Sequence, residues 1–411
     1  MTRKEVASWL IKIGCILFCV SLPLSLQLNN LSIGLIVLGW LIEGDLREKI
    51  KTIPGSFLFL PIGFYLLHVV GLLYSTNITY GLKDLETKAA ILLLPLTLGT
   101  TQLIDRNIIR LILKVFILTN LTVCLYCLAL ASIKFVETGV TNYFYYHSLT
   151  EGIDLHAIYF AVYLGFSILI ILYFNYLQSD LFNKWISLLL MFFFMVYIAL
   201  LSALNVMFIL PLLMLFILSK RLLHNRSIFF RALIFASAFV AFILVAYALP
   251  YTRMKLHNLG RLEYSMGDQD YKWGSLSIRL AKWECGWAVV QKNWMLGVGT
   301  GDGQAALMES YREKGFSEGL RNNYNTHNQY LETWIMLGLP GLILLLLMLW
   351  PWHRDALWVC FLILIFISFL TENMLDTQKG VVFFSFFYAL LTLFGVEQAQ
   401  REFRKGEFSV S

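Results

Sequence analysis

Long apolar runs alternate with short polar breaks from one end of the chain to the other. Runs near residues 7–27, 31–42, 56–74, 111–133 and 156–176 predict membrane-spanning helices, as do those near 229–249, 329–350, 356–371 and 380–396. Several reach the roughly 18 to 20 residues that a helix needs to cross a bilayer. A tight turn at Asn29-Asn30 is expected between the first two. Lys83, Asp84, Glu86 and Lys88 precede a shorter apolar segment ending near Gly99, which reads as an amphipathic approach at the outer interface. Residues 185–219 carry no charge. As one helix, about 35 residues would reach roughly 52 Å against a hydrocarbon core of about 30 Å. Two helices joined by an outer turn at Ser202-Ala203-Leu204-Asn205 satisfy both that length and the flanking Lys184 and Lys220-Arg221.

Cations fix the orientation. Arg3, Lys4 and Lys12, then Arg47, Lys49 and Lys51, then Arg106 and Arg110, then Lys220, Arg221, Arg226 and Arg231 fall on one side, and Arg401, Arg404 and Lys405 join them. By the positive-inside tendency that side is the cytoplasm, and both termini lie there. The expectation is an all-α, polytopic transmembrane protein of about twelve helices with one large helical outer loop. Nine helices fall in residues 1–249, the loop in 250–328, three helices in 329–396 and a cytoplasmic tail in 397–411. With 58% hydrophobic and 14% charged residues and a mean hydropathy of +0.70, composition excludes a soluble globular domain. The net charge of +6 is mild, and no nucleic-acid partner is expected. The six cysteines lack zinc-type spacing; Cys124-x-x-Cys127 sits inside an apolar run, so neither a metal site nor a disulfide is expected.

The remaining polar chemistry collects on outward segments. The stretch Asn325–Leu342, NTHNQYLETWIMLGLPGL, begins polar and runs into an apolar helix. Spacings of 4, 3, 4 and 3 predict His327, Leu331, Trp334, Gly338 and Gly341 on one helix face. The imidazole takes the wet end, and the glycines let a neighbouring helix backbone approach. A single histidine at a helix end is commonly an interfacial residue or a cap, so base and cap both stand as readings. In SIRLAKWECGW, Arg279, Lys282 or Trp283, and Trp287 share an amphipathic face, with aromatics toward the outer leaflet and the guanidinium toward a headgroup. An arginine fork suits phosphate oxygens better than a point charge does. The run Gly297 to Gly303 lacks a preceding strand and a Walker lysine, and reads as a tight turn placing Asp302. His156 opens a helix at the same surface. Glu372, Asn373 and Asp376 occupy the last outer turn, where carboxylates near the apolar boundary need partners, expected among the loop arginines.

Four pieces in order, SIRLAKWECGW, LGVGTGDG, THNQYLETWIMLGLPGL and TENMLDTQKG, with HAIYF upstream, resemble the O-antigen ligase/O-antigen polymerase family of bacterial membrane glycosyltransferases. The resemblance covers about residues 202–380, and His327-Asn328, nine residues, Gly338, two residues, Gly341 matches the family's H-N-x9-G-x-x-G pattern. It implies an undecaprenyl-diphosphate-linked glycan as donor and a sugar hydroxyl, on lipid A–core or another glycan, as acceptor. It further implies inverting transfer without metal or cofactor, at the periplasmic face of the inner membrane. His327 corresponds to the family's proposed general base and Arg279 to the arginine that holds the diphosphate. Lys282 and Arg261 are further cations for that group, and His156, Asp302, Asn328 and Glu372 are supporting or substrate-binding candidates. Members usually carry an arginine in the short outer turn, in a pattern like S-x-R; here Leu204 stands there.

Ligase and polymerase differ in acceptor rather than chemistry. A single dominant outer loop holding the His and Arg elements together favours the ligase. The competing class is a transporter or flippase for the same lipid, which would place polar residues inside its spans. Apart from Lys12, Lys114 and His68 the expected spans are nearly free of charge, which favours an enzyme.

Overall fold

The computed structural model describes residues 2–52, 57–221, 273–352 and 354–404, with isolated positions between 230 and 266. The span expected near 229–249 and the cation Arg261 lie outside the described residues, apart from isolated positions of that span. In chain order the helices are α1 (Arg3–Ser21), α2 (Leu26–Glu43), α3 (Leu46–Thr52), α4 (Phe59–Leu73), α5 (Ile78–Leu98), α6 (Arg106–Thr138), α7 (Tyr146–Thr150) and α8 (Ala157–Leu177). There follow α9 (Lys184–Leu201), α10 (Leu204–Arg221), α11 (Ser275–Asn293), α12 (Gly303–Glu313), α13 (Ser317–Arg321), α14 (Gln329–Met348), α15 (Ala356–Phe369) and α16 (Gln378–Arg404). No strand occurs among the described residues, and the fold is all-α and polytopic. Among the described residues, six helical segments are long and apolar enough to cross a membrane: Leu26–Glu43, Arg106–Thr138, Ala157–Leu177, Lys184–Leu201, Gln329–Met348 and Gln378–Gly395. Three shorter apolar helices, Phe59–Leu73, Leu204–Lys220 and Ala356–Phe369, accompany them.

The bundle is built around α8, a helix apolar on every side and buried from Ala157 to Phe174. Such a helix belongs in the interior rather than at a surface. It packs against α6, α9, α10 and α15, and its Tyr163 and Phe166 join rings from α6 and α16. Tyr163 stacks on Phe383 at 4.5 Å, and Phe116 meets Phe387 edge-on at 4.7 Å. The uncharged run 185–219 divides at Ser202, a left-handed residue between α9 and α10. Asn205, one residue into α10, donates to Thr371 Oγ1 at 3.1 Å and so sets this turn beside the last outer turn.

Outside the bundle, α11, α12 and α13 form a small helical unit with its own core of Cys285, Val289, Leu307, Tyr311 and Phe316. Ile335 of α14 closes that core from below, so the unit rests on the helix that follows the His327 turn.

Several boundaries differ from those expected, each for a physical reason. The first turn falls at Leu22 to Ser25, where Ser25 caps α2. Asn29 lies inside α2, buried, and donates to Phe18 O and Ser21 Oγ. The charged stretch 83–88 does not precede a separate apolar segment: α5 is one helix, and Lys88 points inward with 1% exposure. Its ammonium pairs with Asp84 and, at 3.1 Å, with Asp376 of the last outer turn. A buried lysine is tolerable only with such partners.

The face predicted for His327, Leu331, Trp334, Gly338 and Gly341 does not form. Asn328 is the N-cap of α14, its Oδ1 accepting from Leu331 N at 3.1 Å, so His327 precedes the helix. Gly338, at φ 64° and ψ −160°, then breaks α14 into two segments. The backbone that approaches this glycine is the loop after α11, not a helix. Leu339 N donates to Trp294 O at 3.0 Å, while Val298 N and Gly299 N donate to Ile335 O and Met336 O at 2.8 and 2.9 Å. A methyl on Gly338 would collide with the Met295 carbonyl. Gly34, by contrast, lies in α2 with open space where its Cβ would stand. Gly338→Ala is therefore expected to cost at least about 1–3 kcal/mol, whereas Gly34→Ala gains about 0.5–1 kcal/mol. Thermal unfolding of the two variants in one detergent checks the opposite signs.

Candidate active site

The outer end of α14, the start of α11 and the turn before α16 converge on one carboxylate. Glu372 Oε1 lies 3.2 Å from Arg279 Nη2, and its Oε2 lies 3.4 Å from His327 Nδ1. The carboxylate is 5% exposed, whereas the arginine and histidine side chains keep 28% and 29%. Burial alone would raise the Glu372 carboxyl. The hydrogen bond and charge of His327, then the fields of His156 and Arg279, outweigh it and hold the group below the usual carboxylate range. With a proton on Nδ1 directed at Glu372, the lone pair of the imidazole falls on Nε2.

The backbone holds His327 in a left-handed conformation, φ 48°. Histidine visits this region more readily than most residues, but it still needs support. Asn325 Oδ1 accepts from His327 N at 3.2 Å, and Asn328 begins the helix on the other side. Beneath them Thr326 is wholly buried, and its hydroxyl donates to Glu332 Oε2 at 2.7 Å. Asn373 Nδ2 donates to the same oxygen at 2.9 Å and to Asp376 Oδ2 at 3.0 Å. Leu375 N donates to Gln329 Oε1 at 2.7 Å. Trp283 Nε1 donates to Thr326 O at 3.1 Å and brings α11 to the same turn.

Lys282 sits one helical turn after Arg279 but does not share its exposed face. It is 3% exposed, with its ammonium 3.8 Å from the centre of the Tyr324 ring. Burial, and then the neighbouring Arg279, lower its pKa to about 7, with Glu372 pulling the other way. It is a cation only part of the time near neutrality. The aromatics of α11 and its following loop do face outward: Trp287, Trp294, Met295 and Leu296 are 46% to 60% exposed. Indole and thioether groups clustered in this way suit the interface between lipid tails and water.

The other expected residues take structural places. Asp302 accepts from Thr76 N, Thr76 Oγ1 and Asn77 N at 2.7 to 2.9 Å, fastening the glycine-rich loop to the start of α5. Burial would raise this carboxyl, but the amides of Thr76 and Asn77 hold it low. The loop amides are already used: Gly301 N on Ser75 Oγ, and Val298 and Gly299 on α14 carbonyls. His156 caps α8, its Nδ1 facing Ile158 N at 3.4 Å, and packs edge-on against His147 at 4.3 Å. Asn328 is likewise a cap. Thr326, Glu332, Gln329, Asn373 and Tyr324 were not anticipated as parts of the site. Glu332 alone carried a visible signal, an acid in the first turn of an apolar helix.

Chemically, the cluster pairs a partly exposed imidazole, oriented by a buried carboxylate, with a guanidinium whose fork is only partly engaged. Among the described residues no group of three or more His, Cys, Asp or Glu is arranged to hold a metal. The lysine beside them sets a pH dependence. Its folded pKa lies below the ordinary lysine value, so between about pH 7 and 10.5 the unfolded chain binds more protons and stability rises with pH. Lys282→Met removes this slope: the variant should gain stability over the parent at pH 6 and lose that gain toward pH 10, read from paired melting curves.

No curated protein matches the chain. Residues 185–346, from the start of α9 to the far end of α14, match the family model described as O-antigen ligase. The match takes in Arg279, Asp302, His327 and Asn328, and stops short of Glu372. Over that segment, less than half of the chain, the protein is similar to the O-antigen ligase family, a likeness consistent with a membrane glycosyltransferase of ligase or polymerase type.

Proposed function

We propose that this protein is an O-antigen ligase that transfers a glycan from undecaprenyl diphosphate to a sugar hydroxyl of lipid A–core at the periplasmic face of the bacterial inner membrane. The observation that carries the reading is the sharing of Glu372 between His327 and Arg279. An imidazole and a guanidinium at one carboxylate suit the base and the phosphate-binding cation that transfer from a lipid diphosphate requires.

Nε2 of His327 takes the proton of the acceptor hydroxyl while that oxygen attacks the anomeric carbon. The bond from that carbon to the diphosphate oxygen breaks, and its electron pair leaves with undecaprenyl diphosphate. Attack opposite the leaving group inverts the anomeric configuration. Glu372 stabilises the imidazolium that forms, as a buried carboxylate does beside a catalytic histidine. Arg279 exchanges part of its contact with Glu372 for the diphosphate, whose growing charge its fork meets with paired N–H groups. Lys282, its pKa lowered to about 7, gains further charge as the anion arrives and adds to the positive field beside Arg279. Leu204 stands where relatives usually carry arginine, so here the diphosphate relies on α11.

His327→Ala should lower transfer about a hundredfold to ten-thousandfold, the usual cost of removing a general base. Its donor binding should stay near that of the parent. Arg279→Ala should weaken both undecaprenyl-diphosphate binding and turnover, because the guanidinium meets the anion before and during reaction. Arg279→Lys should recover only part of this, lacking the bidentate fork. Binding and transfer measured in nanodiscs separate the two roles, and full activity of His327→Ala removes the base. In a deletion strain, long unattached chains should accumulate on the carrier lipid; single repeats attached to core would mark a polymerase instead.

A further inference from the structure

Two neighbouring cavities are not used by the His327–Glu372–Arg279 cluster. The first, about 320 Å³, lies between α5 and the turn that carries His327. Tyr80 and Asp84 form one wall, Asn323, Asn325 and Gln304 another, and Glu332 and Asp376 also line it. The second is a groove of about 740 Å³ between α2, α5 and the start of α16. Lys83 and Thr87 line both, so the cavities adjoin.

The chemistry of the first cavity suits hydroxyl groups. A sugar hydroxyl both donates and accepts, and carboxylates, side-chain amides and a phenol answer each role. Asp84, 9% exposed and paired with Lys88 through Oδ1, holds its wall of the cavity in place. A diphosphate fits poorly, since Asp84, Glu332 and Asp376 line the cavity against one lining cation, Lys83.

The groove has one polar end and one apolar length. Asn30, Glu86 and Gln378 join Lys83 at the first, and Ile33, Val37, Ala90 and Leu93 continue below. Leu38 and Leu41 on its rim are 48% and 52% exposed, so it opens sideways. Gly34 leaves its floor empty. That is the shape for a lipid chain whose head lies at the polar end.

We propose that the polar cavity binds the saccharide head of the acceptor and that the groove seats the acceptor's lipid chains. The acceptor then reaches His327 as a membrane glycolipid from the α2–α5 side, while the donor is held by α11. The inference rests on the glycan-transfer reading and adds the place where its second substrate binds.

Two variants test it away from the catalytic cluster: Gly34→Phe, which fills the groove, and Tyr80→Ala, which strips one wall of the cavity. The probes are lipid A–core glycolipid, the same core oligosaccharide freed of its lipid, and undecaprenyl diphosphate, each titrated against the full chain in nanodiscs. Both variants should bind the glycolipid about tenfold more weakly, with undecaprenyl-diphosphate binding unchanged. The freed oligosaccharide should respond to Tyr80→Ala alone. Unchanged glycolipid binding in both variants, no glycolipid binding by the parent, or selective loss of undecaprenyl diphosphate would overturn the assignment. If the parent binds the glycolipid through these walls yet transfers nothing, the glycosyltransferase reading falls and the site stands. If transfer persists with an unaltered acceptor KM in both variants, the reverse holds.

Discussion

Everything at the outer face depends on how one buried acid, Glu332, is satisfied. It lies in the first turn of α14 with 2% exposure, where an unpaired carboxylate would be very costly. Thr326 and Asn373, separated by 47 positions in sequence, both donate to its Oε2. That shared bond fixes the turn before α14 to the turn before α16. His327 and Glu372 each sit one residue from these anchors, so the distance between imidazole and carboxylate follows from a contact in which neither takes part. Lys88 continues the chain of partners through Asp376 to α5. The cluster is thus held by three separate parts of the sequence and does not rely on a single loop.

The glycine-rich loop serves the same end by a different route. Its backbone amides are spent on α14 and on Gly71 and Ser75 at the end of α4, and Asp302 is spent on Thr76 and Asn77. This leaves the loop as a strap across the break at Gly338. The break angles the outer part of α14, with Trp334 Nε1 donating to Trp294 O at 3.0 Å, so that α11 and the His327 turn can meet.

The apolar periodicity made the helices legible, because a membrane span must satisfy its own backbone and leaves a long signature. The division at Ser202 followed from the length of the uncharged run and the cations at both of its ends. His327 and Arg279 stood out as polar chemistry at the ends of apolar segments, and Glu372 as a charge needing a partner. What failed was local. Counting His327 into a helical period overlooked that Asn328 is a strong capping residue, which ends the period one residue later. Gly338 followed by Pro340 signalled a break, yet its spacing from His327 suggested a face. Lys88 looked interfacial because its partner Asp376 is 288 positions away, a pairing that no short-range pattern contains.

The wholly enclosed α8 has a consequence for how the molecule is assembled. Lipid tails are as apolar as its side chains, so moving this helix from lipid to the interior gains little from exclusion of water. Its place is kept by fit and by a few directed bonds. Asn120 Nδ2 donates to Ser167 Oγ at 3.0 Å, and Tyr163 donates to Lys379 O at 2.8 Å across to the start of α16. Because α16 is made well after α8, the face of α8 that meets Phe383 and Phe387 must be stable toward lipid until that later helix packs on it.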